Sequence, residues 1–142
     1  SEYLDLLENT FIIKRISPFH KNIRSELTKN QKIFFLDTGM MHLLWLKEFP
    51  KIIQGNVFET FVFLELMKSG NRINFWRTTN KQEVDFIIND KTMYSIEAKY
   101  SFEDSSSLKF FTEKYKCKGF IVGLKGEKGI KGEYIWELLK KL

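Results

Sequence analysis

The sequence predicts an α/β fold in which a buried helix, three strands, a second helix and a further strand follow one another as α-β-β-β-α-β around a mixed sheet. Three observations lead to it. Residues 56–68 are apolar around nearly the whole helical circumference. Three short β-rich runs, divided by polar tripeptides, fill residues 73–100, and a run with helical spacing then leads into the apolar stretch Gly119 to Leu124. A smaller N-terminal unit, residues 1–54, is expected to precede this block of residues 55–142.

The 142 residues suffice for one ordinary domain with a small appendage and exclude two full domains. With 43% hydrophobic residues, among them 14 Phe, 5 Tyr and 3 Trp, and only 2 Pro, the chain buries enough apolar surface to fold. A single cysteine, Cys117, excludes an internal disulfide. Adding only His20 and His42, it excludes a cysteine/histidine zinc site, and a reducing cytoplasm is the expected address. No apolar run approaches the roughly 18 residues that span a bilayer, and no signal peptide is recognisable, so no membrane association is expected. The net charge of +5 suits a polyanionic partner or a lysine-rich solvated surface. Acids and bases balance in residues 55–100, and the excess of bases lies on either side.

The elements follow in order. Leu4, Leu7 and Phe11 share one face of an opening helix, and the chain turns extended from Ile12 to Ile16 until Pro18 stops it. A polar, basic stretch from His20 leads to a strand over Ile33 to Leu36, and Met40 to Leu46 resumes a short helix. Helix, strand, polar excursion and strand suggest a winged-helix-like or hairpin segment. Pro50 and Gly55 mark its end. In the next helix Asn56 takes the N-cap position, Glu59 stands at capping-box spacing and Ser69-Gly70 is the stop. Ile73 to Arg77, Glu83 to Ile88 and Met93 to Tyr100 read as an antiparallel meander. Asp104 and Ser105 to Ser107 offer N-caps for a helix that places Leu108, Phe111 and Tyr115 on one face. Gly119 to Leu124 reads as a central strand, Gly123 to Gly132 as a loop, and Glu133 to Leu142 as a last strand or helix at the edge.

The chemistry-bearing residues lie on the meander. Alternation puts Ser95, Glu97 and Lys99 on one face of their strand. In the strand before it, Val84, Phe86 and Ile88 form the apolar set and leave Asp85 on the other face with Glu83 and Ile87. A hairpin centred on Lys91 sets Asp85 directly across from Glu97, with Cβ atoms about 4.5–5.5 Å apart. Two carboxylates at that distance repel unless a cation lies between them. Mg²⁺ or Mn²⁺, which takes one or two carboxylates and keeps several waters, supplies that charge, and Lys99 is placed to orient a water or stabilise a phosphate. Glu59 emerges from the apolar stripe of its helix, either as a cap or as a further acid at the metal edge. Acid-X-Lys alone is a weak motif, and its weight comes from conjunction with Asp85 and Glu59.

Glu59 on a helix, then Glu83-Val84-Asp85, then Glu97-Ala98-Lys99, in the order α-β-β-β-α-β, resembles the PD-(D/E)XK nuclease superfamily. Tyr3-Leu4 to Ile13, Lys32-Ile33-Phe34-Phe35-Leu36-Asp37-Thr38-Gly39, Gly55-Asn56-Val57-Phe58-Glu59, Phe75-Trp76-Arg77 and Glu83-Val84-Asp85-Phe86 resemble, within it, the uncharacterised C-terminal domain of bacterial and archaeal AAA+-type ATPases. The resemblance implies a restriction-endonuclease-like core after the winged-helix-like segment, Asp85 and Glu97 as metal ligands, Lys99 as catalytic lysine and Glu59 as the helix acid. The superfamily's Pro-Asp pair is here Val84-Asp85. The start at Ser1 suggests a piece of a longer chain. The glycines from Gly123 to Gly132 form no P-loop, so the ATPase domain is expected as an N-terminal partner and this part is not expected to hydrolyse ATP.

The expected function is metal-dependent hydrolysis of DNA phosphodiesters, with the basic flanks holding the backbone. The alternative is a noncatalytic module of the parent ATPase that recognises nucleic acid or protein, with oligomerisation left open. A third reading makes residues 1–54 a DNA-reading unit, on the strength of His20 to Arg24, although no clear recognition helix stands there.

Overall fold

In the computed structural model, which describes residues 1–21, 30–47, 55–124 and 132–142, the described elements form a mixed α/β arrangement. They are α1 (Glu2–Asn9), β1 (Ile13–Ile16), β2 (Lys32–Phe35), α2 (Thr38–Met41) continuing into a π-helical turn (His42–Leu46), α3 (Gly55–Lys68), β3 (Ile73–Arg77), β4 (Glu83–Asn89), β5 (Met93–Ala98), α4 (Ser106–Tyr115), β6 (Lys118–Val122) and α5 (Ile135–Leu138). From α3 to β6 the order is α-β-β-β-α-β. Residues 22–24, 50 and 125–131, on which part of the basic stretch, a boundary proline and most of the glycine-lysine loop fall, lie outside the described residues.

The four-stranded sheet has the order β3-β4-β5-β6, antiparallel in its first two pairings and parallel in the third. Helix α4 makes the crossover that a parallel pairing requires. Its N-cap is Ser105, whose hydroxyl accepts the Leu108 N–H at 3.2 Å. The apolar stretch into β6 is expected to be central, yet among the described residues β6 ends the sheet, with a parallel bridge from Val122 to Glu133 beyond it. Lys118 and Gly119 are exposed, and the strand buries only its far end at Val122. Gly119 is required where it stands, because a Cβ there would lie 2.5 Å from Thr112 Cγ2 of α4.

Helices cover both faces of the sheet. On one, Phe58, Val62, Phe63 and Leu66 of α3 pack against Ile73, Phe75, Phe86, Ile88 and Ile96. On the other, Leu108 and Phe111 of α4 pack against Trp76, Val84 and Ile87, together with Phe19. The N-terminal residues share these cores. β1 and β2 form an antiparallel pair that contributes Ile16 and Phe34 to the α3 side, with Phe34 stacked on Phe63 at 4.3 Å. Beyond β1, Pro18 bridges to Phe75, and the Phe19 N–H donates to the Phe75 carbonyl at 2.6 Å. The hairpin is thereby tied to the β3 edge of the sheet.

Two local expectations change at the helix ends. Phe11 does not share the half-buried face that Leu4 and Leu7 form on α1. The helix stops at Asn9, Phe11 takes a left-handed φ of 57°, and its ring is exposed. Asn56 lies inside the first turn of α3, which begins at Gly55, and the Glu59 carboxylate is taken by Lys32, so no capping box forms between them. Among the described residues no helix is long and apolar enough to cross a membrane.

Candidate functional site

The register of β4 with β5 pairs Phe86 with Ile96 and Asn89 with Met93, which centres the hairpin on Lys91 as its sequence predicts. Continued by one residue, that register sets Asp85 opposite Glu97. The ladder ends before this pair, and the Asp85 carboxylate replaces it, with Oδ2 accepting the Ala98 N–H at 2.9 Å.

The expected alternation along β4 fails at this point. β3 pairs Asn74 with Ile87 and Trp76 with Val84, so Asp85 and Phe86 together face the single residue Phe75. The extra residue is a β-bulge, and such bulges re-aim side chains. Val84 accordingly packs with Ile87 on the α4 side, while Phe86 and Ile88 pack on the α3 side. The assignment of Val84, Phe86 and Ile88 to one apolar face is thus corrected: one residue's slip divides them. The same slip delivers Asp85 to Lys32 and to the neighbourhood of Glu59.

Lys32, the first residue of β2, is the centre of the site. Its Nζ lies 2.8 Å from Glu59 Oε1, 2.5 Å from Glu83 Oε1 and 3.4 Å from Asp85 Oδ1. The Phe75 ring lies beneath the ammonium at 5.6 Å, and the Arg77 guanidinium stands over the same ring while holding Glu83 Oε2 at 2.7 Å. Burial by itself would lower the pKa of Lys32, but the Glu59 and Asp85 charges and the bonds to Glu59 and Glu83 hold it above the usual lysine range. Burial likewise works to raise Glu83, and the Lys32 and Arg77 bonds overcome it, leaving that carboxyl below its ordinary value. Glu59 is raised, first by burial and then by Asp85, with Lys32 opposing.

Glu97 and Lys99 form the adjoining part, with Lys99 Nζ 3.3 Å from Glu97 Oε1. Glu97 is buried, and its Oε2 has no hydrogen-bond partner among the described residues. Burial, followed by the nearby Asp85 charge, pushes its pKa up to about 7 against the pull of Lys99 and Lys32. Asp85 is close enough to act on both Glu59 and Glu97, which makes it the joint of the constellation.

All four sequence-derived residues, Glu59, Asp85, Glu97 and Lys99, therefore belong to one neighbourhood. Sequence reasoning gave no role to Lys32 or Arg77 and placed Glu83 only as a bystander. The signal was a lysine opening an otherwise apolar strand, Lys32 to Leu36. Among the described residues no group of three or more His, Cys, Asp or Glu side chains is arranged to hold a metal ion. Asp85 and Glu97 offer a pair, which is within what Mg²⁺ requires when water completes its shell. The orphaned Glu97 Oε2 fits a cation ligand, since a buried carboxylate oxygen without a partner is costly to leave unpaired.

The family model described as Domain of unknown function (DUF4143) matches residues 54–140, and a second, Domain of unknown function (DUF8612), matches residues 1–51. An uncharacterized protein of Mycobacterium tuberculosis is 30% identical over 95 residues, covering 61% of this chain and 21% of the relative. An uncharacterized protein of Haemophilus influenzae is 28% identical over 121 residues, covering 82% of this chain and 30% of the relative. The chain thus spans less than a third of the length of either relative. No solved structure matches it.

Proposed function

The chain belongs to the DUF4143 family, and we propose that it carries a metal-dependent phosphodiesterase site of PD-(D/E)XK type, on a restriction-endonuclease-like core, that cleaves DNA. The observation that carries this reading is a buried Glu97 that holds Lys99 through Oε1, lies within electrostatic reach of Asp85, and has no partner for Oε2 among the described residues. Asp85 and Glu97 would hold Mg²⁺ or Mn²⁺. When bound, such an ion supplies Lewis-acid polarisation of the phosphate and a water of lowered pKa.

The protein's own groups do the rest. The Ala98 N–H fixes Asp85 Oδ2 and Lys32 fixes Oδ1, so the carboxylate cannot rotate freely. Lys99, about a third exposed, has an ammonium that Glu97 Oε1 holds at 3.3 Å and whose other N–H groups can donate to a phosphate oxygen or to the attacking water. Glu59 is engaged by Lys32 and acts as an electrostatic neighbour of Asp85. In this reading the site is the C-terminal domain of a longer AAA+-type ATPase that works on DNA in the cytoplasm.

The test is incubation of the protein with branched, duplex and single-stranded DNA in Mn²⁺. Cleavage that disappears in Lys99→Gln supports the proposal, and no product at any protein concentration contradicts it. A second reading, a noncatalytic recognition module whose acids serve structure, draws support from Lys32, whose single ammonium pairs with Glu59, Glu83 and Asp85. It predicts unchanged nucleic-acid binding in Asp85→Ala and Lys99→Ala with no cleavage in any form.

A further inference from the structure

The turn between β3 and β4 borders an open cavity of about 460 Å³ lined by Arg77, Thr78, Thr79, Lys81 and Glu83. Two cations and two hydroxyls meet a single acid there, and that acid is already paired. Lys32 takes Glu83 Oε1, while the Arg77 Nε and Nη2 groups both reach Oε2 at 2.7 Å. Among the described residues Arg77 Nη1 has no hydrogen-bond partner, and a guanidinium with one side so committed presents its remaining N–H groups as a fixed fork. Thr78 Oγ1 accepts the Gln82 N–H at 3.1 Å and keeps its own hydrogen to donate, and Thr79 is exposed. Lys81 stands where its backbone is costly. The Thr78 N–H donates to the Gln82 carbonyl at 2.9 Å and the Lys81 N–H to the Thr78 carbonyl at 3.2 Å, which closes a tight turn. Within it Lys81 takes a left-handed φ of 62°, a conformation that glycine adopts without strain. A lysine at that position puts an ammonium on the rim of the cavity, where it makes no ion pair among the described residues.

The cavity adjoins the candidate site. Arg77 and Lys32 lie over the same Phe75 ring, and Lys32 reaches on to Asp85 Oδ1. We propose that the cavity binds a phosphate of a DNA strand whose neighbouring segment lies at Asp85, Glu97 and Lys99, with Arg77 Nη1, the Lys81 ammonium and the two threonine hydroxyls as donors. Contacts of this kind fix the register of a strand and carry no sequence information. The inference rests on the reading of the adjoining site as one that handles DNA and adds the surface that holds the strand, so binding here is separable from cleavage there.

The experiment is fluorescence anisotropy of a labelled DNA duplex in EDTA over a series of salt concentrations, with the native chain, Lys81→Gly and Lys91→Gln. Lys91 lies in the turn at the other end of β4 and gives a matched loss of one charge. Lys81→Gly removes the ammonium and suits the left-handed backbone, so it should melt no lower than the native chain. It is expected to bind the duplex about three- to tenfold more weakly at low salt, with a slope of log K against log salt shallower by about 0.9. Lys91→Gln should keep the native affinity and slope. Equal losses in the two variants, native affinity in Lys81→Gly, or no duplex binding by the native chain overturns the inference. If inorganic phosphate at matched ionic strength raises the melting of the native chain but not of Lys81→Gly, while both bind the duplex alike, the cavity serves the free ion and the inference falls. Cleavage assays in Mn²⁺ on the same samples separate it from the nuclease reading. A binding loss confined to Lys81→Gly, with no cleavage by the native chain, upholds the inference and removes the nuclease reading. Cleavage together with equal duplex binding in all three proteins does the reverse.

Discussion

Replacing Glu97 by Gln removes a buried carboxyl whose pKa stands at about 7 in the folded protein against 4.5 in the unfolded chain, raised first by burial and then by Asp85. A carboxyl raised in this way binds its proton more tightly when folded. Its contribution favours folding fully below about pH 4.5 and is lost as pH rises through about 7. At about 1.36 kcal/mol per pH unit the span corresponds to an upper figure on the order of 3 kcal/mol, which the partly exposed Lys99 lowers by screening. Thermal melts in EDTA from pH 4.5 to 8 measure it. Near pH 4.5, where the native side chain is neutral, native and Glu97→Gln proteins should melt close together. By pH 8 the variant should melt roughly 5–12 °C higher. Glu83 and Glu8 are shifted downward and Glu59 upward, but all three are present in both proteins and largely cancel in the difference. Parallel melting curves across the whole range would refute the account of a buried carboxyl raised by burial and by Asp85.

Asp85→Asn should weaken Mn²⁺ binding at least tenfold by titration calorimetry while leaving the circular dichroism spectrum unchanged, since an amide oxygen can still accept the Ala98 N–H. Lys99→Gln should bind Mn²⁺ within a few-fold of native yet lose about a hundredfold or more in cleavage rate, measured on a labelled duplex. Phe34→Ala, which removes the ring packed against both Phe63 and Phe86, should cost about 3–5 kcal/mol in urea unfolding and keep a single transition, because the hairpin shares its core with α3. Gly119→Ala should destabilise by about 1–3 kcal/mol in the same assay, its Cβ being driven against Thr112 of α4.

The meander was legible because its information is local. The polar tripeptides mark where β3 gives way to β4 and β4 to β5, although β5 stops at Ala98, short of the expected Tyr100, and the six-residue symmetry about Lys91 fixes which residues oppose each other. Ser105 and the Leu108, Phe111 and Tyr115 stripe likewise identify α4 from neighbouring residues alone. The bulge at Asp85 and Phe86 was hidden, since it arises from pairing with β3 and leaves no mark in the alternation of β4 read by itself. Lys32 was hidden for a related reason. It meets Glu59 and Asp85 across 27 and 53 residues of sequence, a distance over which spacing rules carry nothing. β6 misled because Gly119 to Leu124 is apolar in composition, yet only the far end of the strand is buried, and among the described residues its outer side meets a bridge from Val122 to Glu133.

The central claim is that Asp85 and Glu97 together form one divalent-cation site, and the most direct test is anomalous diffraction from crystals of the native protein soaked in Mn²⁺. The account predicts a peak within ligand distance of both an Asp85 oxygen and Glu97 Oε2, absent from crystals of Glu97→Gln. Fully ordered crystals with no peak there, or a peak that persists in Glu97→Gln, would contradict it.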